Sequence, residues 1–333
     1  MKILLTGAAG FIGYHLSLAL LEKNYCVIGL DNLNDYYNPK LKLDRLKKIS
    51  NHRKAINFQF VKGDIVNREL ITSLFEENSF DIVINLAAQA GVRYSITNPH
   101  AYVDSNLIGF VNILEGCRHF NIKHLVYASS SSVYGMSTEQ PFSTSHKIDQ
   151  PISLYAATKK SNELMAHTYS HLYSLPTTGL RFFTVYGPFG RPDMAYYKFT
   201  KSILEGKSID IYNHGKMKRD FTYISDIVDG VIKVLKHAPE KDKKSMANAA
   251  YQIFNIGNGK PQTLDAFVRA IENACNKPAK RNNMPMQPGD VIETYADIED
   301  FTNKVGYIPK VNINDGIKNF VSWYIDYYKH NQK

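Results

Sequence analysis

Residues 2–31 read KILLTGAAGFIGYHLSLALLEKNYCVIGLD, and the order of patterns in this stretch decides the fold. KILLT (2–6) is a short apolar run stopped by a glycine, the pattern of a strand covered on both faces. Gly7-Ala-Ala-Gly10-Phe11-Ile12-Gly13 follows as a turn, and FIGYHLSLALLEK (11–23) has helical spacing, with Ile12, Leu16, Ala19 and Leu20 on one face. The next apolar run, YCVIGL (25–30), ends at Asp31. Strand, glycine turn, helix, strand and acid in this order make a βαβ unit that opens a parallel sheet.

The glycines have physical tasks. One allows a tight turn, one lets the backbone approach a pyrophosphate, and one lets helix and strand pack closely, while the helix N-terminus holds the anion. The spacing here is G-x-x-G-x-x-G. Asp31, with Asn32 beside it, lies 18 residues after Gly13. A carboxylate at that point can accept both hydroxyls of an adenosine ribose and repels a 2′-phosphate, so NAD is expected over NADP. Lys40 and Lys42 are close enough in sequence to keep NADP in view. Asp64-Ile65 and Leu86-Ala87-Ala88 stand at later strand ends and are expected to line the adenine and the middle of the dinucleotide.

Working outward, FQFV, DIVINLA, HLVYAS and TTGLRFF read as further strands, separated by amphipathic stretches at 66–78, 100–119 and 154–174. The fold class is therefore α/β, a Rossmann-type doubly wound parallel sheet. After about residue 180 the rhythm breaks into loops (YGPFGRPDM, YNHGKMKRD) and helices near 194–205 and 224–236. Residues 1–180 are expected to form the cofactor-binding domain, with later segments returning to it. Residues 181–333 should be mainly a smaller α/β substrate domain. KDKKSMANAA (241–250) reads as a mobile surface loop.

The chain has 333 residues, 44% apolar and 21% charged, which suits one or two packed domains and excludes disorder. Cys26, Cys117 and Cys275 are too few for a disulfide scaffold and point to a reducing cytoplasm; no metal ligand set stands out. Ile3 to Leu21 is uncharged and superficially resembles a membrane segment, but its glycines, Thr6, His15 and Ser17 interrupt it, so no membrane association is expected. The formal charge is +9, and residues 40–54 carry seven Lys/Arg against Asp44, contributing +6. That run reads as a solvated helix with Leu41, Leu46 and Ile49 inward, and KPAKR (277–281) as a second solvated segment. Aromatic residues that could stack on bases are missing from both, so nucleic acid is not the expected partner.

Tyr155-Ala-Ala-Thr-Lys159 places a phenol and an ammonium one helical turn apart on the same face. Tyr36/Lys40, Tyr197/Lys201 and Tyr212/Lys216 share the spacing. Only Tyr155 opens a long helix after a strand ending in the hydroxyl cluster Ser129–Ser132. A free tyrosine ionises near pH ~10, and bringing that to about 7 takes about 4 kcal/mol of charge stabilisation. Lys159 and an oxidised nicotinamide are two cations that could supply it, and Ser130 can hold the same substrate oxygen for proton transfer.

TGAAGFIG, Asp31, SSSSVYG and YAATK together resemble the extended short-chain dehydrogenase/reductase superfamily, over essentially the whole chain. More narrowly, AGVRYSITNP (90–99), the block from Ser153 to Ala195 and YNHGKMKRDFTYISDI (212–227) look like bacterial UDP-glucuronate 4-epimerases of capsule and envelope polysaccharide synthesis. The resemblance implies an isomerase. Tyr155 would take the proton from the sugar's 4-hydroxyl as C4 gives hydride to NAD, and the 4-keto sugar would turn over and be reduced on its other face. It further implies Arg191 near the hexose carboxylate, with Ser131 and Ser132 approaching the same group. Arg219 would lie at the diphosphate, with pairing to Asp220 as its plain alternative. Arg93 is a weaker anion candidate. Tyr212 with Ile209 and Ile211 fits the uracil side or simply the core, and Asp290 fits the UDP ribose or a loop cap.

Thr184 departs from the Asn that many neutral-sugar 4-epimerases carry, which leaves its diphosphate contact open. Ser131 stands where related dehydratases and decarboxylases place an acid, which favours simple epimerisation. The runner-up is 4-epimerisation of a neutral UDP-hexose or UDP-N-acetylhexosamine; a net oxidoreductase and a non-catalytic dinucleotide sensor are further alternatives. A homodimer is expected through helices 100–119 and 154–174, on the apolar residues Leu107, Phe110, Ile113 and Leu114.

Overall fold

The computed structural model describes residues 1–241, 248–287 and 290–331. Most of the loop expected at 241–250 lies outside the described residues. Each apolar run of the first half is a strand: β1 (Lys2–Thr6), β2 (Cys26–Asp31), β3 (Phe58–Lys62), β4 (Ile82–Asn85), β5 (His124–Ser130) and β6 (Thr177–Phe182). Short strands follow, β7 (Thr184–Tyr186), β8 (Ser208–Ile211), β9 (Lys218–Arg219) and β10 (Phe221–Tyr223), before β11 (Tyr251–Ile256) rejoins the first group. The resulting sheet runs β3-β2-β1-β4-β5-β6-β11, with every pairing parallel. Strand order reverses between β1 and β4, so their carboxyl ends frame a crevice at the point where such sheets bind ligands.

Period-two alternation sorts the strand residues to two covered faces. Ile3, Leu5, Ile82, Ile84 and Val126 pack with Leu16 and Leu20 of α1 (Phe11–Glu22). Leu4, Val83, Leu125 and Tyr127 pack on the other face with Leu74 and Phe75 from the stretch Arg68–Glu77. Helix α1 is buried more widely than one face, because Phe11, Tyr14, Ser17 and Leu21 are covered as well. Ile12 and Ala19, expected on the same face as Leu16 and Leu20, are half-buried.

Two expectations need correction. The basic run forms α2 (Lys40–Ser50), but it is not a wholly solvated helix: Lys42 and Arg45 are buried, Arg45 completely. Along α3 (Arg68–Glu77), α4 (Tyr94–Thr97) and α5 (Pro99–Tyr102) the chain reaches a π-helical turn, Val103–Ile108, which runs into α6 (Gly109–His119). There Phe110, Ile113 and Leu114 are spent on the protein's own core. Exposed apolar residues along these segments include Ile108 and Val111, together with Leu154, Leu164, Leu172 and Tyr173 of α7 (Leu154–Tyr173).

The chain after β6 builds a cap over the strand ends. α8 (Ala195–Glu205) leads to β8, and α9 (Ile224–Val234) packs back on α1. β7 pairs with β10, β9 with β12 (Gln262–Thr263), and β8 with β13 (Lys280–Asn283), while α10 (Leu264–Cys275) lies between the last two. α11 (Glu299–Val305) and α12 (Ile313–Asn331) close the chain. No helix among the described residues is long and apolar enough to cross a membrane.

Candidate active site

A cavity of about 1040 Å³ opens between the sheet's carboxyl edge and the cap. It is lined by every site residue expected from sequence except Ile211. Ile211 is 5% exposed and packs in the core, whereas its neighbours Ile209 and Tyr212 reach the cavity. Ile209 and Ile211 share the buried face of β8, and only Ile209 lines the cavity.

The glycine turn forms one wall. Gly7 has φ +72°, and a Cβ there would lie 2.8 Å from Ala87 N. A Cβ on Gly13 would lie 2.1 Å from Gly7 O, so α1 can approach β1 only without it. Gly10 caps α1 with no side-chain acceptor, leaving the first-turn N–H groups of Phe11 and Ile12 for an anion at the positive helix end. Asp31 ends β2 with Oδ2 accepting Ala9 N–H at 3.1 Å and Oδ1 accepting Leu33 N–H at 2.9 Å. Asn32 donates to Asp64 Oδ2 at 2.8 Å, and Thr6 Oγ1 accepts Ala87 N–H at 3.1 Å. Lys40 pairs with Asp44 at 3.0 Å, and Lys42 donates to Asn34 Oδ1 at 2.7 Å. Those two lysines thus brace their own segment. Glycine cradle, bare helix end and ribose-side carboxylate together fit a dinucleotide lacking a 2′-phosphate.

Across the cavity, β5 delivers Ser130 and α7 delivers Tyr155 and Lys159. Ser153 caps α7 by accepting Ala156 N–H at 3.1 Å, which fixes the helix start just before Tyr155. Lys159 is 3% exposed and donates to Ala128 O at 2.8 Å; burial pulls its pKa down to about 8. Burial pushes the Tyr155 phenol above its ordinary value, opposed by a hydrogen bond with Ser130 and by the charge of Arg191. Burial is the largest influence on the phenol, and the lowering expected from sequence rests on Lys159 together with an oxidised nicotinamide. Ser130 Oγ lies 3.1 Å from Ser132 Oγ and accepts Ser132 N–H at 3.2 Å.

Beneath this group lies a buried brace that sequence reading missed. Glu163, one turn beyond Lys159, accepts from Ser129 Oγ at 2.6 Å and from Arg181 Nε and Nη2 at 2.9 and 3.0 Å. Arg181 also donates to Tyr134 Oη at 2.9 Å. The signal was present in the helical spacing Tyr155, Lys159, Glu163.

The cap supplies Arg191 and Arg219, and the segment between β4 and α4 supplies Arg93. Arg191 meets Asp193 through two bonds, a partner not foreseen although it stands two residues away. The turn before it is held from below. Arg45 donates to Phe189 O at 2.7 Å and Ala9 O at 2.8 Å, and His15 Nε2 lies 2.8 Å from Pro188 O. A carbonyl only accepts, so His15 carries its proton on Nε2, and burial lowers its pKa to about 4. At the far end Arg93 pairs with Asp290 at 3.2 Å and sits over the Tyr212 ring at 5.4 Å. Arg219 donates to Lys218 O and Ile292 O at 2.9 and 3.0 Å. It does not pair with Asp220, whose buried carboxylate accepts backbone N–H groups of Asn258, Gly259 and Ala296 instead. Burial lowers the Arg219 pKa, opposed by Asp290 and reinforced by Arg93. Thr184, at the start of β7, lines the cavity.

Residues 3–257 match the model of the NAD dependent epimerase/dehydratase family. Protein CapI of Staphylococcus aureus is 55% identical over 99% of this chain and 100% of its own length. UDP-glucuronate 4-epimerase 4 of Arabidopsis thaliana is 50% identical over 100% of this chain and 77% of its own. The crystal structure of UDP-glucuronic acid 4-epimerase from Bacillus cereus, in complex with UDP-glucuronic acid and NAD, superposes with a TM-score of 0.89 at 34% identity, covering 98% of this chain and 100% of that one.

Proposed function

The chain belongs to the NAD-dependent epimerase/dehydratase family, and from that premise we propose that it is an NAD-dependent UDP-glucuronate 4-epimerase, interconverting UDP-glucuronate and UDP-galacturonate. The observation that carries the substrate is Arg191, which lines the same cavity as Tyr155. A planar guanidinium is suited to a sugar carboxylate.

We assign roles as follows. Gly7, Gly10, Phe11, Ile12 and Gly13 hold the diphosphate of NAD; Asp31 and Asn32 hold the adenosine ribose; Asp64, Ile65 and Leu86–Ala88 line the adenine and the middle of the cofactor. When bound, the oxidised nicotinamide supplies a reversible hydride acceptor for the sugar's C4 and a positive charge that favours the phenolate. Tyr155 takes the 4-hydroxyl proton and returns it, Ser130 holds that oxygen, and Lys159, one helical turn from Tyr155, adds its ammonium charge to the same cavity. Ser131, Ser132 and Arg191 receive the carboxylate end. Arg93, Thr184, Tyr212, Arg219 and Asp290 receive the nucleotide. Residues 1–180 serve mainly the cofactor and residues 181–333 mainly the UDP-sugar.

The working unit is a homodimer built on α6 and α7, supported by the exposed Ile108, Val111, Leu164 and Leu172; a monomeric mass at micromolar concentration in light scattering would overturn it. Its three unpaired cysteines accord with the cytoplasm, and an acidic nucleotide sugar of this kind is a precursor for polysaccharide synthesis. The test is direct: protein incubated with UDP-glucuronate should yield UDP-galacturonate with no added NADH, no accumulating absorbance at 340 nm and no carbon dioxide. UDP-pentose as the only product, or no turnover with NAD supplied, refutes the proposal.

A further inference from the structure

Arg191 is the cation assigned to the hexose carboxylate, yet part of its guanidinium is already committed. Nε donates to Asp193 Oδ1 at 3.1 Å, and Nη2 donates to Asp193 Oδ2 at 2.7 Å. Those donors form the side edge of the fork. The end edge is Nη1 with the second hydrogen of Nη2, which meets only the weak acceptor Met194 Sδ at 3.7 Å, and it is the other edge able to bind a carboxylate through two parallel bonds.

Asp193 is itself held from a distant part of the chain. The Tyr36 hydroxyl donates to Oδ2 at 3.3 Å, and the Tyr36 ring packs 4.9 Å from that of Tyr94. Gly91 leaves room at this corner: its φ is +101°, and a Cβ there would sit 3.0 Å from the Tyr36 hydroxyl and 3.8 Å from Arg191 Nη2. Burial favours the protonated form of Asp193, but Arg191 and the Tyr36 hydroxyl more than offset it, and the carboxyl stays below its usual range.

We propose that Asp193 and Tyr36 are positioning residues that set selectivity for an acidic sugar, Asp193 gripping the side edge of Arg191 so that its end edge is presented to the C6 carboxylate. The inference rests on the carboxylate reading of Arg191. An arginine side chain has several rotatable bonds, and holding it beforehand spares that entropy on binding. A sugar ending in a neutral hydroxymethyl group gains little from the held fork. The opposite arrangement, in which Asp193 occupies the substrate's own place and is displaced, makes the opposite prediction.

The experiment compares the NAD-loaded wild type with Asp193→Asn and Tyr36→Phe. It measures KM and kcat for UDP-glucuronate, and, in a Tyr155→Phe background, calorimetric Kd for UDP-glucuronate and UDP-glucose. Asp193→Asn should raise KM for UDP-glucuronate about tenfold or more, with kcat changed by no more than about threefold. Tyr36→Phe should act in the same direction and less, and Kd for UDP-glucose should stay within about twofold, a split that general loosening of the fold would not produce. Equal weakening of both sugars, or tighter UDP-glucuronate binding by Asp193→Asn, overturns the inference. A wild type with no preference for UDP-glucuronate overturns the functional reading as well, whereas a preference unchanged by both substitutions overturns the positioning role alone.

Discussion

Arg45 ties three parts of the site together, and its removal should be felt in all of them. Its Nη1 donates to Ala9 O at 2.8 Å and Tyr37 Oη at 2.7 Å, and its Nη2 donates to Phe189 O at 2.7 Å. Ala9 belongs to the glycine turn, and Phe189 stands two residues before Arg191. Arg45→Met keeps the apolar stem and leaves two buried carbonyls without a donor, at about 1–3 kcal/mol each. Release of the guanidinium from its dry site offsets part of this, so the expected net loss is about 2–4 kcal/mol. Phe189 adds to the sensitivity, because its backbone is left-handed at φ 56° and is kept there by packing against Tyr14 and Trp323. Urea unfolding monitored by circular dichroism measures the stability change, and cofactor retained through gel filtration reports on the glycine turn. Arg45→Lys should recover less than half of the loss, since an ammonium cannot reproduce the planar fork. A stability within about 0.5 kcal/mol of wild type for Arg45→Met, with unchanged cofactor retention, would refute the clamp.

Two further outcomes follow from buried charge. Glu163→Gln leaves Arg181, 3% exposed, without a counter-charge, and should lower stability by about 3–5 kcal/mol in the same unfolding assay. Replacing both residues with methionine should recover most of that loss, and a single substitution costing under about 1 kcal/mol would show that the pair is not buried as described. Lys159→Met should abolish epimerisation and alter stability in a pH-dependent way. With its pKa lowered from 10.5 to about 8, the folded chain binds fewer protons than the unfolded chain between those values, so the wild type gains stability as pH rises through them. The buried ammonium costs about 3 kcal/mol at pH 7, less the bond to Ala128 O. The stability of the methionine variant relative to wild type should therefore fall by about 2 kcal/mol between about pH 7 and pH 9.5, and a pH-independent difference would contradict the assignment.

The sheet was legible because strands covered on both faces read as continuous apolar runs, and because a glycine turn between strand and helix has few other uses. The site was legible where chemistry dictates residue type at short range, as at Asp31 after the second strand or Tyr155 and Lys159 on one helical turn. It was not legible where partners come from different elements. Periodicity does not say that Arg93 and Asp290, 197 residues apart, form an ion pair, or that Tyr36 reaches Asp193 across 157. Apolar residues on α6 were equally ambiguous. Helical spacing identifies Phe110, Ile113 and Leu114 as one face, but whether that face meets the protein's own sheet or another copy depends on where α3 and α7 lie.

The basic helix shows how close the sequence came to the answer. Counting charge over residues 40–54 treats all seven cations alike and yields a solvated surface. Position within the helix does not. Leu41, Arg45 and Ile49 follow one another at intervals of four, so the arginine stands in the middle of the apolar stripe, and both flanking residues are buried with it. Leu46, expected inward, lies to one side and is half-buried. A charged residue centred in an apolar stripe must find partners for its donors once it is covered, and guanidinium donors are best satisfied by several carbonyls in fixed positions. Such carbonyls occur in irregular backbone, here the glycine turn and the turn before Arg191. The run that set the protein's net charge thus reaches the site through Lys42, which lines the cavity, and through Arg45, because the geometry of the turns requires a buried donor there.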